Sequence, residues 1–208
     1  QFLPKWTLAA GLGFEQSQLS VQTINYTAGA VSGRAGAERS FSNWAPEMSI
    51  SWKPTDGYRH WVRASTGYAI PGFSNLLTNP FTGLAGTNFD LKPQKNLNVE
   101  LGTESRLHKT LTVQLVGFVT FVKDEIISQV VSNTGGQAAI NADSSQYRGI
   151  ELFYDWRPLD GLRFSGAYTH IDARYINFSD QFLSGGLPTA FVRDGKVVPN
   201  VPTDTFNF

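Results

Sequence analysis

Three histidines, His60, His108 and His170, are the residues whose chemistry would first suggest catalysis or zinc binding. They are dispersed, and no His-Glu-x-x-His spacing places two imidazoles on one helix face. His170 and Asp172 are close enough to suggest the pairing of a lipase-like hydrolase, yet no nucleophilic serine of matched geometry can be assigned from one sequence. We therefore predict no catalytic residues, no metal ligands and no cofactor, and we expect that the protein is not an enzyme.

A glycine-rich stretch offers a second candidate, a phosphate-binding loop. Gly29, Gly33 and Gly36 lie close together, but no Lys-Ser/Thr pair follows them and no strand leads into a helix there. The chain also has no cysteine, which excludes a disulfide framework and thiolate metal sites. Its net charge is zero, so it has no excess of basic residues for nucleic acid, and no nucleic-acid partner is expected.

The composition favours a surface that faces lipid. Charged residues make up 16% of the 208 residues and aromatic residues 13%, whereas soluble domains carry about 25% charged residues. No stretch approaches 18 consecutive apolar residues, so a transmembrane helix is not predicted. A membrane protein of this composition would have to cross the bilayer with strands.

Long amphipathic strands are the elements that would cross the bilayer and position the side chains of this protein. Between residues 96 and 121, Leu97, Val99 and Leu101 alternate with Asn98 and Glu100, and the alternation resumes after a turn at residues 108–110. A strand of about eleven residues, tilted by roughly 45°, rises on the order of 25 Å, the height of the apolar band of an outer-membrane barrel. Strands of soluble sheets are about half as long.

The same alternation recurs along the chain. Strands are predicted over residues 6–16, 44–53, 58–68, 97–107, 111–121, 146–156 and 162–171, and a strand begins at residue 203. Short turns at residues 53–57, 107–111 and 157–161 alternate with long loops at residues 17–43, 70–95, beyond 122, and 172–201. This predicts an all-β antiparallel transmembrane barrel, present as a part of about seven to eight strands, with short periplasmic turns and long extracellular loops.

The charged residues of the strands indicate which face lines the lumen. Arginine in the middle of the lipid face costs about 2–4 kcal/mol, so Arg59 and Arg63 are assigned to the lumen together with Trp61. Glu100, Glu104 and Glu151 are also expected to line the inner wall.

Several stretches together resemble a known family. They are Phe41-Ser42-Asn43-Trp44-Ala45-Pro46-Glu47-Met48-Ser49-Ile50-Ser51-Trp52-Lys53-Pro54, Ser65-Thr66-Gly67-Tyr68-Ala69-Ile70-Pro71, Leu91-Lys92-Pro93-Gln94 to Glu100-Leu101-Gly102, Gly149-Ile150-Glu151-Leu152, and Val198-Pro199 through Val201-Pro202 to Phe206. In this order and spacing they resemble the carboxy-terminal barrel of TonB-dependent outer-membrane receptors. The first strand departs from the family pattern, because Gly11-Leu12-Gly13-Phe14 stands where Gly-Leu-Arg is usual.

The resemblance implies a function and partners. Residues 1–208 would form part of the β-barrel domain, with the plug domain and the remaining strands outside this chain. The receptor would lie in outer-membrane lipid of a bacterium and import a scarce nutrient, such as a small iron chelate of the ferric siderophore class, with TonB acting through the plug. Arginine would attract an anionic chelate and aromatic rings would stack on it, and the loop residues predicted to bind ligand are Arg34, Arg39, Phe73, Phe81 and Tyr175.

Two other classes remain open at the level of sequence. A passive porin-like or other outer-membrane barrel would have an open lumen and no energy coupling. A soluble all-β binding module would have both strand faces in protein or water. The predicted strand length and the placement of the long loops favour the receptor over both.

Overall fold

The computed structural model describes residues 5–131, 136–184 and 187–208, and it is dominated by β-strands. The strands are β1 Trp6–Thr27, β2 Ala30–Trp52, β3 Tyr58–Ala69, β4 Gln94–His108, β5 Leu111–Val130, β6 Gln137–Leu159, β7 Leu162–Asn177, β8 Ser179–Ser184, β9 Leu187–Val192 and β10 Asp204–Asn207. A single-turn helix, α1, covers Phe73–Leu76. Within the described ranges, no helix has the length and apolarity needed to cross a membrane.

Eight of the strands form one antiparallel sheet in the order β1-β2-β3-β4-β5-β6-β7-β10. Each strand pairs with the next along the chain, except that β8 and β9 form a separate two-stranded hairpin between β7 and β10. Across the described residues, β1 and β10 are the edges of the sheet and do not pair with each other. The all-β antiparallel fold and the open, partial barrel are therefore confirmed.

Strand alternation separates an apolar face from a polar face. In β4 and β5, Leu97 pairs with Phe121 and Leu101 with Gly117, and the side chains of Leu97, Leu101 and Phe121 are exposed. Apolar side chains that remain exposed along a whole sheet face are unusual in a soluble protein. We call this side the apolar face, and it is the face predicted to contact lipid.

The opposite side, the polar face, carries the charged residues assigned to the lumen. Arg59 donates to Glu104 at 3.3 Å, and its guanidinium carbon lies 4.7 Å from the centre of the Trp61 ring. Trp61 Nε1 donates to Glu100 Oε1 at 3.1 Å. These contacts link Glu104, Arg59, Trp61 and Glu100 one to the next on β3 and β4, so their predicted common face is confirmed.

Two of the predicted loops prove to be strands, and a third, residues 172–201, contains the end of β7 and the strands β8 and β9. β1 and β2 continue through most of residues 17–43 and meet at Ala28 and Gly29, which have φ of 50° and 82°. β5 and β6 likewise continue beyond residue 122 to Val130 and from Gln137. Beyond the apolar band both faces of a strand can meet water, so no hydrophobic alternation is required there. The sequence pattern consequently failed to show these extensions.

The short turns lie where they are predicted, and two of them are tighter than predicted. β2 and β3 are joined by residues 53–57 and β4 and β5 by residues 109–110. The third turn is tighter than predicted, because β6 continues to Leu159 and leaves Asp160 and Gly161, whose φ is 79°. All three turns lie at one end of the sheet, and we call the other end the long-loop end.

Gly102 is required by the packing of the polar face. It pairs directly with Trp61, and a Cβ at Gly102 would lie 2.0 Å from Trp61 Cζ2. The indole therefore lies over the backbone of β4, where any side chain would displace it. Gly117, on the apolar face of β5, has open space around the same position.

We expect Gly102→Ala to destabilise the sheet, because the added methyl group displaces an indole that is held by Glu100. Overpacking of this kind costs about 1–3 kcal/mol. The measurement is the urea midpoint of unfolding of the purified protein in lipid vesicles, with Gly117→Ala as the matched control that leaves it unchanged. Equal midpoints for the two variants would contradict this account of Gly102.

Candidate functional site

The long-loop end brings together three elements that could bind a ligand. These are the extensions of β5, β6 and β7 beyond the apolar band, the loop of residues 70–93 between β3 and β4, and the segment 178–203 between β7 and β10. Binding residues are often carried by loops that a rigid scaffold positions. The contacts that hold each segment decide which side chains it presents.

The loop of residues 70–93 is anchored on the side of β6. Leu76 and Leu91 are buried with Ala139, and Asn88 Nδ2 donates to the carbonyl of Ala139 at 2.8 Å. Asn141 is bonded to the backbone of Lys92 in both directions, at 2.8 Å and 3.0 Å. The loop is thus fixed by apolar burial and by side-chain hydrogen bonds to its backbone.

Phe81 lies at the tip of this loop. Asn79 Oδ1 accepts hydrogen bonds from the backbone N–H groups of Phe81 and Thr82, at 2.9 Å and 3.1 Å, which forms an Asx turn. Thr78 and Ala85 form a β-bridge behind it. The Phe81 side chain is 78% exposed, so a large apolar ring is held in solvent by a hydrogen-bonded turn.

Gly83 allows the tip to approach β6. Its φ is 69°, and a Cβ there would lie 2.4 Å from the backbone nitrogen of Gln137. A residue with a side chain would be strained in backbone conformation and would also clash with backbone atoms. Gly83 therefore determines how closely the loop can pack against the start of β6.

Within the segment 178–203, Phe178 and residues 193–203 pack on the polar side of β6 and β7. Phe178 and Val198 are buried with Ala142, Ala173 and Tyr175, and the rings of Tyr175 and Phe178 lie 4.9 Å apart. Backbone hydrogen bonds that hold the segment include Tyr175 N to Lys196 O, Gly195 N to Tyr175 O and Val198 N to Ala173 O, at 2.8–3.0 Å. This segment thus covers the inner wall at the long-loop end.

A buried carboxylate lies beneath that cover. Glu125 is 9% exposed, and it accepts hydrogen bonds from the hydroxyl groups of Ser145 and Tyr147. A phenol of ordinary pKa, about 10, is protonated at neutral pH, so Tyr147 can donate to the Glu125 carboxylate.

The structure separates the residues predicted to bind ligand. Phe73, in α1, is 53% exposed and lies in the same loop as Phe81. The Arg39 guanidinium lies 5.3 Å from the centre of the Phe41 ring, within β2 rather than in a loop. Arg34 is also in β2, and its side chain lies outside the described part of the chain. Tyr175, in β7, is 5% exposed because Phe178 and Val198 of the segment 178–203 pack against it.

Glu125, Tyr147 and Asn88 are the residues of this region that sequence reasoning missed. Glu125 follows Asp124, which has a φ of 54° and interrupts the pairing of β5 with β6. This irregularity shifts the alternation, so counting along the strand gives the wrong face for Glu125. Asn88 lies in a loop rich in Pro, Gly and Asn, and no local signal distinguishes it from its neighbours.

Metal-ligating side chains are not clustered. Among the residues that the structure describes, no three His, Cys, Asp or Glu side chains are close enough to hold a metal ion. His170 Nδ1 instead lies 3.0 Å from Asp204 Oδ1, which also accepts from Tyr168 at 2.7 Å. The partner of His170 is thus Asp204 on β10, rather than Asp172.

We expect Tyr147→Phe to loosen the segment 178–203, because the buried Glu125 carboxylate loses one of its two hydroxyl donors. Leaving a buried polar group without its hydrogen-bond partner lowers the free energy of unfolding by about 1–3 kcal/mol, and by more if the group is charged. Hydrogen exchange of the amides of Tyr175 and Val198 should become faster. Tyr154→Phe, which changes an exposed tyrosine on the apolar face, is the control, and equal exchange in both variants would contradict the role of Glu125.

Comparison with known proteins places this geometry in a family. A family model described as "TonB dependent receptor-like, beta-barrel" matches residues 1–208. The ferric-catecholate import receptor Fiu from E. coli K12 is 18% identical, with a TM-score of 0.68 over 99% of this chain and 29% of that chain. The siderophore receptor PiuA from Acinetobacter baumannii is 20% identical, with a TM-score of 0.72 over 99% and 28%.

The ferric yersiniabactin uptake receptor FyuA from Yersinia pestis is also similar, at 20% identity and a TM-score of 0.67 over 99% of this chain and 28% of that chain. The chain thus spans less than a third of the length of these receptors. Their likeness supports the fold, and the match of the family model over all 208 residues shows the family. The chain belongs to the β-barrel family of TonB-dependent receptors, which are receptors of the bacterial outer membrane.

Proposed function

We propose that this chain is part of the barrel of an outer-membrane receptor that imports a ferric siderophore with energy supplied through TonB. The observation that carries the proposal is the anchored loop of residues 70–93, which holds Phe81 78% exposed. An exposed aromatic ring on a fixed turn is already in place for stacking on a ligand. Preorganisation of this kind reduces the entropy lost on binding.

The chemistry of a ferric chelate suits this end of the barrel. Such chelates carry flat conjugated or aromatic groups and often a net negative charge, which aromatic rings and arginine recognise. Phe73 and Phe81 would supply the rings. Arg39 would supply the positive charge, since no carboxylate among the described residues forms an ion pair with it. Arg34 and Tyr175 remain part of the proposal. For Tyr175 to reach a ligand, the segment 178–203 would first have to move away from it.

The polar face suits a lumen that contains a plug and water. Arg63 donates to Glu47 at 2.8 Å, and both side chains remain about half exposed, at 45% and 50%. Such pairs can exchange partners with a polar plug surface or with water at little cost, because exposed ion pairs are worth about 0–1 kcal/mol. In this proposal the barrel is completed by further strands that pair with β1 and β10, and a plug transmits the action of TonB.

The proposal is tested on the complete receptor that contains this barrel segment. We expect it to bind ferric catecholate, ferric hydroxamate or haemin, and we expect Phe81→Ala to weaken the preferred chelate about fivefold to tenfold, the value of one aromatic stack. Binding is measured by quenching of intrinsic tryptophan fluorescence. Leu84→Ala is the matched control, because Leu84 is 68% exposed in the same loop and has no ring.

Cells that lack TonB distinguish this function from a passive barrel. Uptake of the labelled chelate should require TonB and should fall with Phe81→Ala. Uptake that continues without TonB would show a porin-like channel instead. A complete receptor that binds neither ferric catecholate nor ferric hydroxamate would refute the siderophore assignment, and one that binds haemin alone would be a haem receptor instead.

A further inference from the structure

Two lysines lie directly opposite each other on the apolar face of the sheet. Lys95 of β4 pairs with Lys123 of β5, and both side chains are exposed. Directly opposed residues on antiparallel strands have Cβ atoms about 4.5–5.5 Å apart, and like charges in this arrangement are destabilising. This pair therefore needs an explanation.

The ammonium groups of these two lysines have no ion-pair partner in the part of the chain that the structure describes. Neither lysine forms an ion pair or a side-chain hydrogen bond within the described part of the chain. The row that crosses the sheet at this level continues to Tyr68 on β3 and Ser144 on β6, so no carboxylate stands beside them in register. The ammonium groups of Lys95 and Lys123 are thus available to bind an anionic partner outside the chain.

The lysines lie at one boundary of the apolar band. The next pair on the same face towards the short turns is Leu97 with Phe121, followed by Val99 with Val119. Lys95 and Lys123 are each about a dozen residues from the short turn that joins β4 and β5. At 3.3 Å per residue and a tilt of about 45°, that is roughly 28 Å, slightly more than the apolar band of about 25 Å. In an outer-membrane receptor this is the level of the outer-leaflet headgroups.

A groove at this level has both apolar and cationic walls. It has a volume of about 1020 Å³. Trp44, Pro46, Leu97 and Phe121 line it, and Lys92, Lys95 and Lys123 contribute its positive charge. Asp124 and Asp143 also line it, but Asp124 is paired with Lys92 at 3.8 Å. Three lysines against two aspartates leave the groove with a net positive charge beside its hydrocarbon wall, and neither Lys95 nor Lys123 has an ion-pair partner among the described residues.

We propose that this groove binds a phosphorylated lipid of the outer leaflet, with its phosphate between Lys95 and Lys123 and an acyl chain along Trp44, Leu97 and Phe121. A phosphate group neutralises the opposed charges and accepts hydrogen bonds from both ammonium groups. The apolar wall explains why the occupant is a lipid rather than a free anion. The inference depends on the outer-membrane location and is independent of the imported ligand.

The experiment uses the complete, delipidated receptor in detergent and native mass spectrometry to measure lipid affinity. The probe is bis-phosphorylated lipid A, and its dephosphorylated form is the comparison. We expect the unaltered receptor to bind the phosphorylated form at least tenfold more tightly. We expect Lys95→Gln combined with Lys123→Gln to weaken that binding about thirtyfold, because each lysine near an anionic lipid surface contributes about fivefold.

Matched variants separate charge from folding. Lys95→Arg combined with Lys123→Arg should retain binding, and Lys109→Gln, in the short turn at the other end, should leave it unchanged. Equal affinity for the two forms of lipid A in the unaltered receptor would overturn the proposal, and this arm requires no variant. Full displacement of the lipid by an equal concentration of inorganic phosphate would also overturn it, because it would identify a site for free anions.

Discussion

Backbone hydrogen bonding in a medium without water is the constraint on which this structure depends. An unpaired N–H or C=O group in hydrocarbon costs several kcal/mol, so a chain that crosses the bilayer as strands must pair every strand. The ladder from β1 to β10 meets this requirement at each internal strand. Side chains are then free to differ completely between the two faces, and the division into an apolar and a polar face follows.

The polar face shows how charged residues are accommodated inside such a wall. Trp61 contacts Arg59 on its own strand and Glu100 on the adjacent strand, and Gly102 leaves the space that the indole occupies. These groups stay partly exposed, so they keep much of their hydration. A lumen that must admit water, a plug or a passing solute can use this arrangement, because a fully buried ion pair would have to recover a large desolvation cost.

The long-loop end is built differently, from segments that dock on both sides of the extended strands. Leu76 and Leu91 fix the loop of residues 70–93 on one side of β6, while Phe178 and Val198 fix the segment 178–203 on the other. The docking of these two segments leaves Phe81 exposed to solvent and buries Tyr175, although both are aromatic residues that the sequence assigns to loops. Burial of a candidate residue is therefore decided by what packs over it.

The sequence by itself determined the all-β class, the two faces of the strands and the positions of the short turns, because alternation and turn chemistry are properties of neighbouring residues. It also carried the family resemblance. Only the tertiary structure decided how far β1, β2, β5 and β6 extend, how deeply Tyr175 and Glu125 are buried, and that Lys95 lies opposite Lys123. These features depend on strand register and loop docking, which join residues far apart in the chain, and beyond the apolar band no hydrophobic alternation is present to indicate them.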